Sequence, residues 1–176
     1  MPMLAVALAA AFAASACSGA AAPAPAAVAS ETPAAAHEQH EQHPAHLAPN
    51  PALPKMVVHK SPSCGCCSVW VEHVRAAGFQ VEVRDREDLQ PVKQRLGVPY
   101  GKGSCHTAEV GGYFVEGHVP AADIQRLLQE KPKARGLTVP GMPAGSPGME
   151  MPDGSVQAYA VELVGGDGES TVYARH

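Results

Sequence analysis

The sequence lacks three features that would each define a class of protein. It has no excess of basic side chains, with 13 Lys and Arg against 17 Asp and Glu, so no nucleic-acid surface is expected. Its N-terminal apolar run, residues 4–14, is too short to span a bilayer. Its five cysteines are too few and too clustered for a disulfide framework, because links between near neighbours close only tiny loops. Metal binding or redox chemistry is the better interpretation of the cysteine cluster.

The N-terminal apolar run has the length of a signal-peptide core. The small residues 14–16 (Ala-Ser-Ala) and then Cys17 follow it, so we predict a signal peptide over residues 1–17 and export of the chain. Ala-Ser-Ala-Cys resembles a bacterial lipobox, in which Cys17 would be acylated and become the mature N-terminus. The same residues also satisfy an ordinary A-x-A cleavage site. Both interpretations stay open.

Residues 18–54 are rich in Ala and Pro and contain almost no large apolar side chain. Such a composition cannot bury a core, so we predict a disordered, extended tether. Within it four histidines occur at a spacing of three: His37, His40, His43 and His46. Imidazoles at that spacing can converge on Cu(II), Ni(II) or Zn even in an unfolded chain. We predict weak, secondary metal capture there, with a polar spacer as the alternative.

Residues 55–176 are predicted to form one folded α/β domain. Apolar periodicity and turn residues predict the order β-α-β-α-β-β-α-loop-β-β, with the second helix beginning within residues 85–88. This order contains that of a thioredoxin-like three-layer sandwich with a mixed sheet. The additions are a Gly/Pro/Met loop over residues 136–152, predicted to hold no regular element, and a C-terminal hairpin.

Three cysteines lie where the first strand turns into the first helix: Cys64, Cys66 and Cys67. Unpaired N–H groups and the positive end of the helix dipole make a thiol there easier to ionise. Cys64 and Cys67 have the C-x-x-C spacing of a redox-active dithiol. The third thiol, Cys66, instead fits a soft metal centre that needs several thiolates.

Two further segments supply candidate ligands at strand ends. Cys105 precedes the first strand of the predicted hairpin, and in a thioredoxin-like topology it would face the other three cysteines. His106 beside it could contribute an imidazole. His118 follows the next strand and is a further candidate, although a lone His is often a capping group.

The Gly/Pro-rich loop carries three methionines without helical spacing: Met142, Met149 and Met151. Thioether sulfur selects Cu(I), and Cys, His and Met together favour copper over zinc or iron. A structural zinc site would meet the ligand count without calling for methionine. A flap that covers apolar surface is the other interpretation of this loop.

Several motifs occur in the order typical of one family. The sequence resembles the CopG-type periplasmic copper-resistance family, a metal-binding domain family long of unknown function, over most of residues 56–175. The resemblance rests on residues 62–70 (PSCGCCSVW), 97–99 (GVP), 104–107 (SCHT), 113–120 (YFVEGHVP) and 136–151.

The resemblance implies a thioredoxin-like fold, a role in copper tolerance and a copper site built from cysteines. By position, the bridging thiolates would be Cys64, Cys66, Cys67 and Cys105. It also implies interconversion of Cu(I) and Cu(II), which would make the chain a copper oxidoreductase, and whether it turns over stays open. The alternative function is a thiol–disulfide oxidoreductase that uses Cys64 and Cys67.

The expected location is the periplasm of a Gram-negative bacterium, with a lipid anchor in the outer membrane if Cys17 is acylated. The expected partners are copper ions and other envelope copper-handling proteins. No nucleic-acid partner is expected, and membrane contact would occur only through the anchor.

Overall fold

The structure, a computed structural model, describes residues 48–176. This part of the chain contains seven strands and three helices. In chain order they are β1 (Met56–Lys60), α1 (Gly65–Ala76), β2 (Val81–Asp85), α2 (Gln90–Leu96), β3 (His106–Val110), β4 (Tyr113–Glu116), α3 (Ala121–Glu130), β5 (Ala134–Thr138), β6 (Ala160–Gly165) and β7 (Ser170–Arg175).

All seven strands belong to one mixed sheet with the order β2-β1-β3-β4-β5-β6-β7. The pairs β1–β2 and β4–β5 are parallel, and each is joined by a helix, as parallel neighbours require. The other neighbours are antiparallel. The arrangement of β1 to β4 with α1 to α3 is thioredoxin-like, as the sequence predicted, and β5 to β7 extend that sheet at one edge.

The two faces of the sheet are covered by different helices. On one face, alternate strand residues such as Val58 and Ala108 pack against Trp70 of α1 and Ile124 of α3 in the main apolar core. On the other face, α2 buries Val92 and Lys93, and Lys93 Nζ donates a hydrogen bond to Thr107 Oγ1. The domain is therefore the predicted three-layer sandwich.

Helix α1 begins at Gly65, directly after the N-cap Cys64, whose backbone angles are still extended. Its buried positions follow at intervals of three and four: Cys67, Trp70, Val71 and Val74. Burying side chains of this size contributes about 1.5–3 kcal/mol each, so the stripe fixes the helix on the sheet. The indole Nε1 of Trp70 also donates to the carbonyl oxygen of Val119, at 2.9 Å. The first turn of α1, with its cysteines, is held in place by this packing.

Helix α2 starts later than the sequence predicted. The expected start within residues 85–88 is wrong, and the helix begins at Gln90. The reason lies in Asp88, whose carboxylate accepts a hydrogen bond from the backbone N–H of Gln90 at 2.8 Å. Asp side chains compete in this way for backbone donors and stabilise turns before a helix. The acidic residues thus precede the helix.

The prediction of a loop throughout residues 136–152 is also wrong at its beginning, because Gly136 to Thr138 belong to β5. The loop is predicted from the many Gly and Pro residues of the whole segment. In the sheet, however, a Cβ at Gly136 would lie only 2.0 Å from the carbonyl oxygen of Phe114 on β4. The two strands can approach each other only because residue 136 has no side chain.

Beyond β5 the chain has no strand or helix until β6, and the C-terminal hairpin forms as predicted. The intervening segment is held by its own hydrogen bonds, including Gly145 N–H to the carbonyl oxygen of Met149 at 2.7 Å. Among residues 48–176, no helix is long and apolar enough to cross a membrane.

The described chain starts within the predicted tether. The N–H of Asn50 donates to the carbonyl oxygen of Gly78 at 2.8 Å, and Leu53 packs against the core. The signal peptide, Cys17 and the histidine cluster at residues 37–46 lie outside the described residues.

Candidate metal centre

The three cysteines of the turn lie together at the start of α1, and we call Cys64, Cys66 and Cys67 the helix half of the site. Cys64 and Cys67, which have the C-x-x-C spacing, form a disulfide. Cys66 is a free thiol whose Sγ lies 3.6 Å from the Sγ of Cys64. Cys67 is buried beneath the turn, whereas Cys64 and Cys66 are half-buried. Two of the three sulfurs therefore face partly towards solvent.

The second group consists of Cys105, His106 and His118, which we call the strand half because they flank β3 and β4. The Sγ of Cys105 lies 3.1 Å from Nε2 of His118. The other nitrogen of that ring, Nδ1, is 2.8 Å from the carbonyl oxygen of Pro147. A carbonyl oxygen only accepts, so Nδ1 carries the proton. Nε2 therefore presents its lone pair towards Cys105, as a metal-binding imidazole does.

The third member of the strand half, His106, lies beneath Cys105. Its ring is fully buried, with a centroid 4.3 Å from that of Trp70. Nδ1 lies 3.5 Å from the Sγ of Cys105, and Nε2 is a buried nitrogen without a hydrogen-bond partner in the described chain. His106 therefore packs in the core and offers one nitrogen towards the cysteines.

Burial sets the protonation of the strand half. It lowers the pKa of His106 to about 3 and is also the main cause of the lowered pKa of His118. Both rings are therefore neutral near pH 7, the form that binds metals. Burial, reinforced by the nearby Cys66, raises the pKa of Cys105 to about 11. A metal that binds there must displace the thiol proton.

The two halves meet at Cys105. The Sγ atoms of all four clustered cysteines lie within 4.8 Å of one another, and so do the candidate ligand atoms of the strand half. Cys105 is the residue common to these two sets of ligand atoms. The Sγ of Cys67 lies 3.7 Å from the carbonyl oxygen of Cys105. The predicted position of Cys105 opposite the other three cysteines is confirmed.

The loop after β5 covers this site at Gly148, where the backbone has a φ of +86°. A Cβ there would lie 2.7 Å from the carbonyl oxygen of Cys66 and 2.9 Å from the N atom of Trp70, both in α1. The adjacent Pro147 supplies the carbonyl that orients His118. The loop therefore both contacts the helix half and orients the strand half.

The methionines of this loop differ in exposure. Met142 and Met151 are exposed and Met149 is half-buried. Their proposed ligand role stays a prediction. The same applies to His37, His40, His43, His46 and Cys17, which lie outside the described residues.

Sequence reasoning missed two residues beneath Cys105. Lys93 of α2 and Glu116 of β4 form a buried ion pair that contacts Ser104. Lys93 gives no signal in the sequence, because it lies in an ordinary run of helix-forming residues. Glu116 lies two residues before His118. Its place at the end of a predicted strand is typical of an ordinary polar residue, so it gave no signal of a buried ion pair.

The donor set fits a soft metal. The ligand atoms of Cys105, His106 and His118 lie within 4.8 Å of one another, as do the four cysteine sulfurs, and cuprous copper prefers such ligands. The disulfide of the helix half leaves two of the four clustered cysteines as thiols. The fold and site thus define a thioredoxin-like domain with a candidate soft-metal centre of cysteine and histidine.

Comparison with known proteins leads to the same class. Two solved structures of the copper resistance protein CopG, forms 1 and 2, each share 48% sequence identity with this chain and superpose with a TM-score of 0.67. The alignment covers 70% of this chain and 98% of each CopG chain. The chain belongs to the CopG family. Residues 102–149 also match the family described as a protein of unknown function, DUF411. No curated protein matches the chain.

Proposed function

We propose that this chain binds copper as part of copper resistance, and that its cysteines hold Cu(I) as a thiolate cluster. The observation that carries the proposal is the position of Cys105, which joins three cysteines of a helix turn to two histidines of the strands. Its relatives of 48% identity are named for copper resistance. A structural zinc site would meet the ligand count but would not call for the three methionines of the loop.

The oxidation state of the helix half determines how many sulfur ligands are available. In the disulfide form, the remaining thiols are Cys66 and Cys105, supported by His118 and His106. Reduction of the Cys64–Cys67 disulfide would supply two further thiolates within 4.8 Å. The reduced protein is therefore the form that we expect to hold a multi-copper cluster.

The same dithiol could interconvert copper oxidation states. Two Cu(II) ions each accept one electron as the thiols of Cys64 and Cys67 form their disulfide and release two protons. The products are two Cu(I) ions, which the thiols of Cys66 and Cys105 and the imidazole of His118 suit. A thiol reductant would restore the dithiol. This places the redox chemistry in Cys64 and Cys67, while Cys66, Cys105 and His118 would hold Cu(I), more weakly, in the disulfide form.

The cell envelope is the proposed location, because the N-terminal segment has the pattern of a signal peptide and four clustered histidines follow it. Acylation of Cys17 would anchor the chain in the outer membrane of a Gram-negative bacterium. The tether histidines and the loop methionines would capture copper weakly before it reaches the cysteines, and other envelope copper-handling proteins would exchange it.

The test measures bound copper per chain after anaerobic loading of the reduced protein with Cu(I) and extensive dialysis. Wild type is expected to retain copper stoichiometrically, and Cys66→Ser and Cys105→Ser are each expected to retain less. Val69→Ala, an exposed position on the same helix, is the matched control. Equal retention by all four proteins would contradict the proposal.

The second candidate, a thiol–disulfide oxidoreductase, is favoured by the disulfide itself and by the free thiol 3.6 Å from Cys64. It predicts reduction of insulin disulfides by the copper-free, reduced protein. Cys66→Ser separates the two functions, because it would keep a C-x-x-C dithiol but lose a copper ligand. A Cys66→Ser protein that reduces insulin at the wild-type rate and a wild type that retains no copper would favour this candidate.

A further inference from the structure

The buried ion pair of Lys93 and Glu116 lies directly beneath the segment that leads into Cys105. The side chains are 10% and 0% exposed. One carboxylate oxygen of Glu116 accepts from Lys93 Nζ and from the backbone N–H of Ser104, the latter at 2.5 Å. The other accepts from the hydroxyl of Thr107 at 2.6 Å. Each carboxylate oxygen is therefore hydrogen-bonded.

The lysine completes this network from the side of α2. Its Nζ donates to the carbonyl oxygen of Ser104 at 3.1 Å and to the hydroxyl of Thr107 at 2.9 Å. Both backbone polar groups of Ser104 are thus bound by the ion pair, and the residue that follows is Cys105. The ion pair binds the backbone of Ser104, just before Cys105, and the hydroxyl of Thr107, two residues after Cys105.

The same pair also connects the two chain segments that carry the strand half. Glu116 is the last residue of β4, and His118 lies two residues after it. Between them, the N–H of Gly117 donates to the carbonyl oxygen of His106 at 3.1 Å. The 3.1 Å approach of Cys105 Sγ to His118 Nε2 is therefore made between segments that the ion pair fastens together.

Stability alone is a weak reason for this arrangement. Desolvation of two charges offsets much of their attraction, so apolar residues often replace a buried pair without loss of stability. An apolar pair could not, however, bind the N–H and C=O of an irregular segment in fixed directions. A surface pair, Arg95 with Glu109, already joins α2 to β3 and does not contact Ser104.

We propose that Lys93 and Glu116 are positioning residues of the metal centre, which hold the Ser104 backbone so that Cys105 faces both His118 and the helix half. This inference rests on the proposed copper function for its metal-binding consequences. Its structural content, a fixed Cys105 thiol, does not depend on copper. Hydrogen-bond partners that orient ligands typically change metal affinity 10–100-fold when they are removed.

The experiment compares Cu(I) affinity, by competition with a chromophoric chelator, in wild type and in the double variant Lys93→Met/Glu116→Leu. The affinity is expected to fall about 10–100-fold. The same double change is then made in the Cys105→Ser background, where we expect less than about a twofold further fall because the effect acts through Cys105. An equal fall in both backgrounds, or none in either, would overturn the inference.

A matched control separates positioning from a general loss of charge on α2. Arg95→Met/Glu109→Gln removes the surface pair between the same helix and the sheet, and its Gln still accepts from His59. We expect its copper affinity to stay within about twofold of wild type, because it does not contact the segment before Cys105. A fall as large as that of the buried-pair variant would count against the inference.

Two measurements keep the test decisive. If the double variant does not fold, Thr107→Val removes only the bridging hydroxyl. Its copper affinity is expected to fall less than that of the double variant, and again only when Cys105 is present.

If wild type binds no copper, the proposed function fails, and thiol labelling still tests the positioning of Cys105. In the oxidised protein Cys66 and Cys105 are the free thiols of the described chain. The double variant should label Cys105 faster and Cys66 unchanged, and an unchanged Cys105 rate would contradict the inference.

Discussion

The two halves of the candidate metal centre are built in different ways. The helix half consists of three cysteines within four positions of one turn, and its arrangement depends on where α1 begins. The strand half gathers Cys105, His106 and His118 from the ends of two strands, and a loop carbonyl orients one of its rings. The helix half is partly exposed and contains the disulfide, whereas both histidines of the strand half are buried and neutral.

The two halves therefore differ in whether their oxidation state can change. Cys64 and Cys67 can open and close a bond without moving the sheet, because both lie at the N-terminus of one helix. The strand half has no such freedom, because its members are fixed by β3, β4 and the buried ion pair. A site that combines them has one part that can form a disulfide and one part whose geometry is fixed.

The largest effect should come from oxidation of the helix half. Oxidised wild type is expected to bind Cu(I) more than about 100-fold more weakly than reduced wild type, since losing ligands costs more than losing their hydrogen-bond partners. In Cys64→Ser/Cys67→Ser, oxidant should leave the affinity unchanged as long as Cys66 and Cys105 stay reduced. Thiol counting before a chelator competition checks both. Equal affinity of the oxidised and reduced wild type would show that Cys64 and Cys67 do not act as copper ligands.

The next effect should distinguish the two histidines. His118→Gln is expected to lower Cu(I) affinity by at least about 10-fold, because Nε2 of His118 faces Cys105 at 3.1 Å. His106→Gln should instead act mainly on folding, since this ring is fully buried against Trp70. Chelator competition and urea unfolding of both variants provide the measurement. A larger loss of affinity in His106→Gln would reverse the assignment of ligand and core residue.

A smaller effect is expected where the loop touches both halves. Gly148→Ala places a Cβ 2.7 Å from the carbonyl oxygen of Cys66, at a positive φ. This overlap should lower the free energy of unfolding by about 1–3 kcal/mol beyond the cost of the positive φ itself. Gly141→Ala is the matched control, because its φ is also positive and nothing lies within 4 Å of the added atom. Urea denaturation measures both. If the two substitutions cost the same, the loop does not press on the helix half as the structure indicates.

The smallest effect concerns the surface ion pair on the face of α2. Hydrogen bonds from Arg95, assisted by His59, lower the pKa of Glu109 to about 2. A carboxylate with a lowered pKa stabilises the fold above its unfolded value, near 4.5, and this stability is lost as the pH falls towards 2. Glu109→Gln should therefore be less stable than wild type at pH 7 by about 0.2–1 kcal/mol.

The check is urea unfolding of both proteins at pH 7 and pH 3. The difference between Glu109→Gln and wild type should shrink at the lower pH, while Cu(I) affinity at pH 7 stays equal. A difference that grows as the pH falls would show that the carboxylate is not stabilised as its contacts indicate.

Much of the fold follows from local pattern. The alternation and turns of residues 107–116 predict a hairpin that the structure contains, and the buried stripe from Cys67 to Val74 follows helical spacing. The failures are equally local in origin. The start of α2 depends on one carboxylate of Asp88 that caps a turn, and β5 depends on Gly136 fitting against Phe114. Neither contact is visible in the periodicity of the chain.

The two halves of the site also differ in how far they could be predicted from local sequence. The helix half could be identified from sequence, because contiguous cysteines at a strand-to-helix turn stay together in any fold that forms that turn. The position of Cys105 needed the thioredoxin-like topology as an intermediate step. The role of Pro147 had no sequence signal, since it acts through a backbone carbonyl that every residue possesses.

The kinds of ligand, the C-x-x-C pair and the layers of the sandwich could be predicted from the sequence, because they depend on side-chain chemistry and on local periodicity. Only the packed fold shows which nitrogen of His118 faces Cys105, and that Lys93 and Glu116 bind the segment before Cys105. The physical reason is directionality. Hydrogen bonds and metal ligands act over about 3 Å with fixed angles, and such geometry exists only after distant segments have packed.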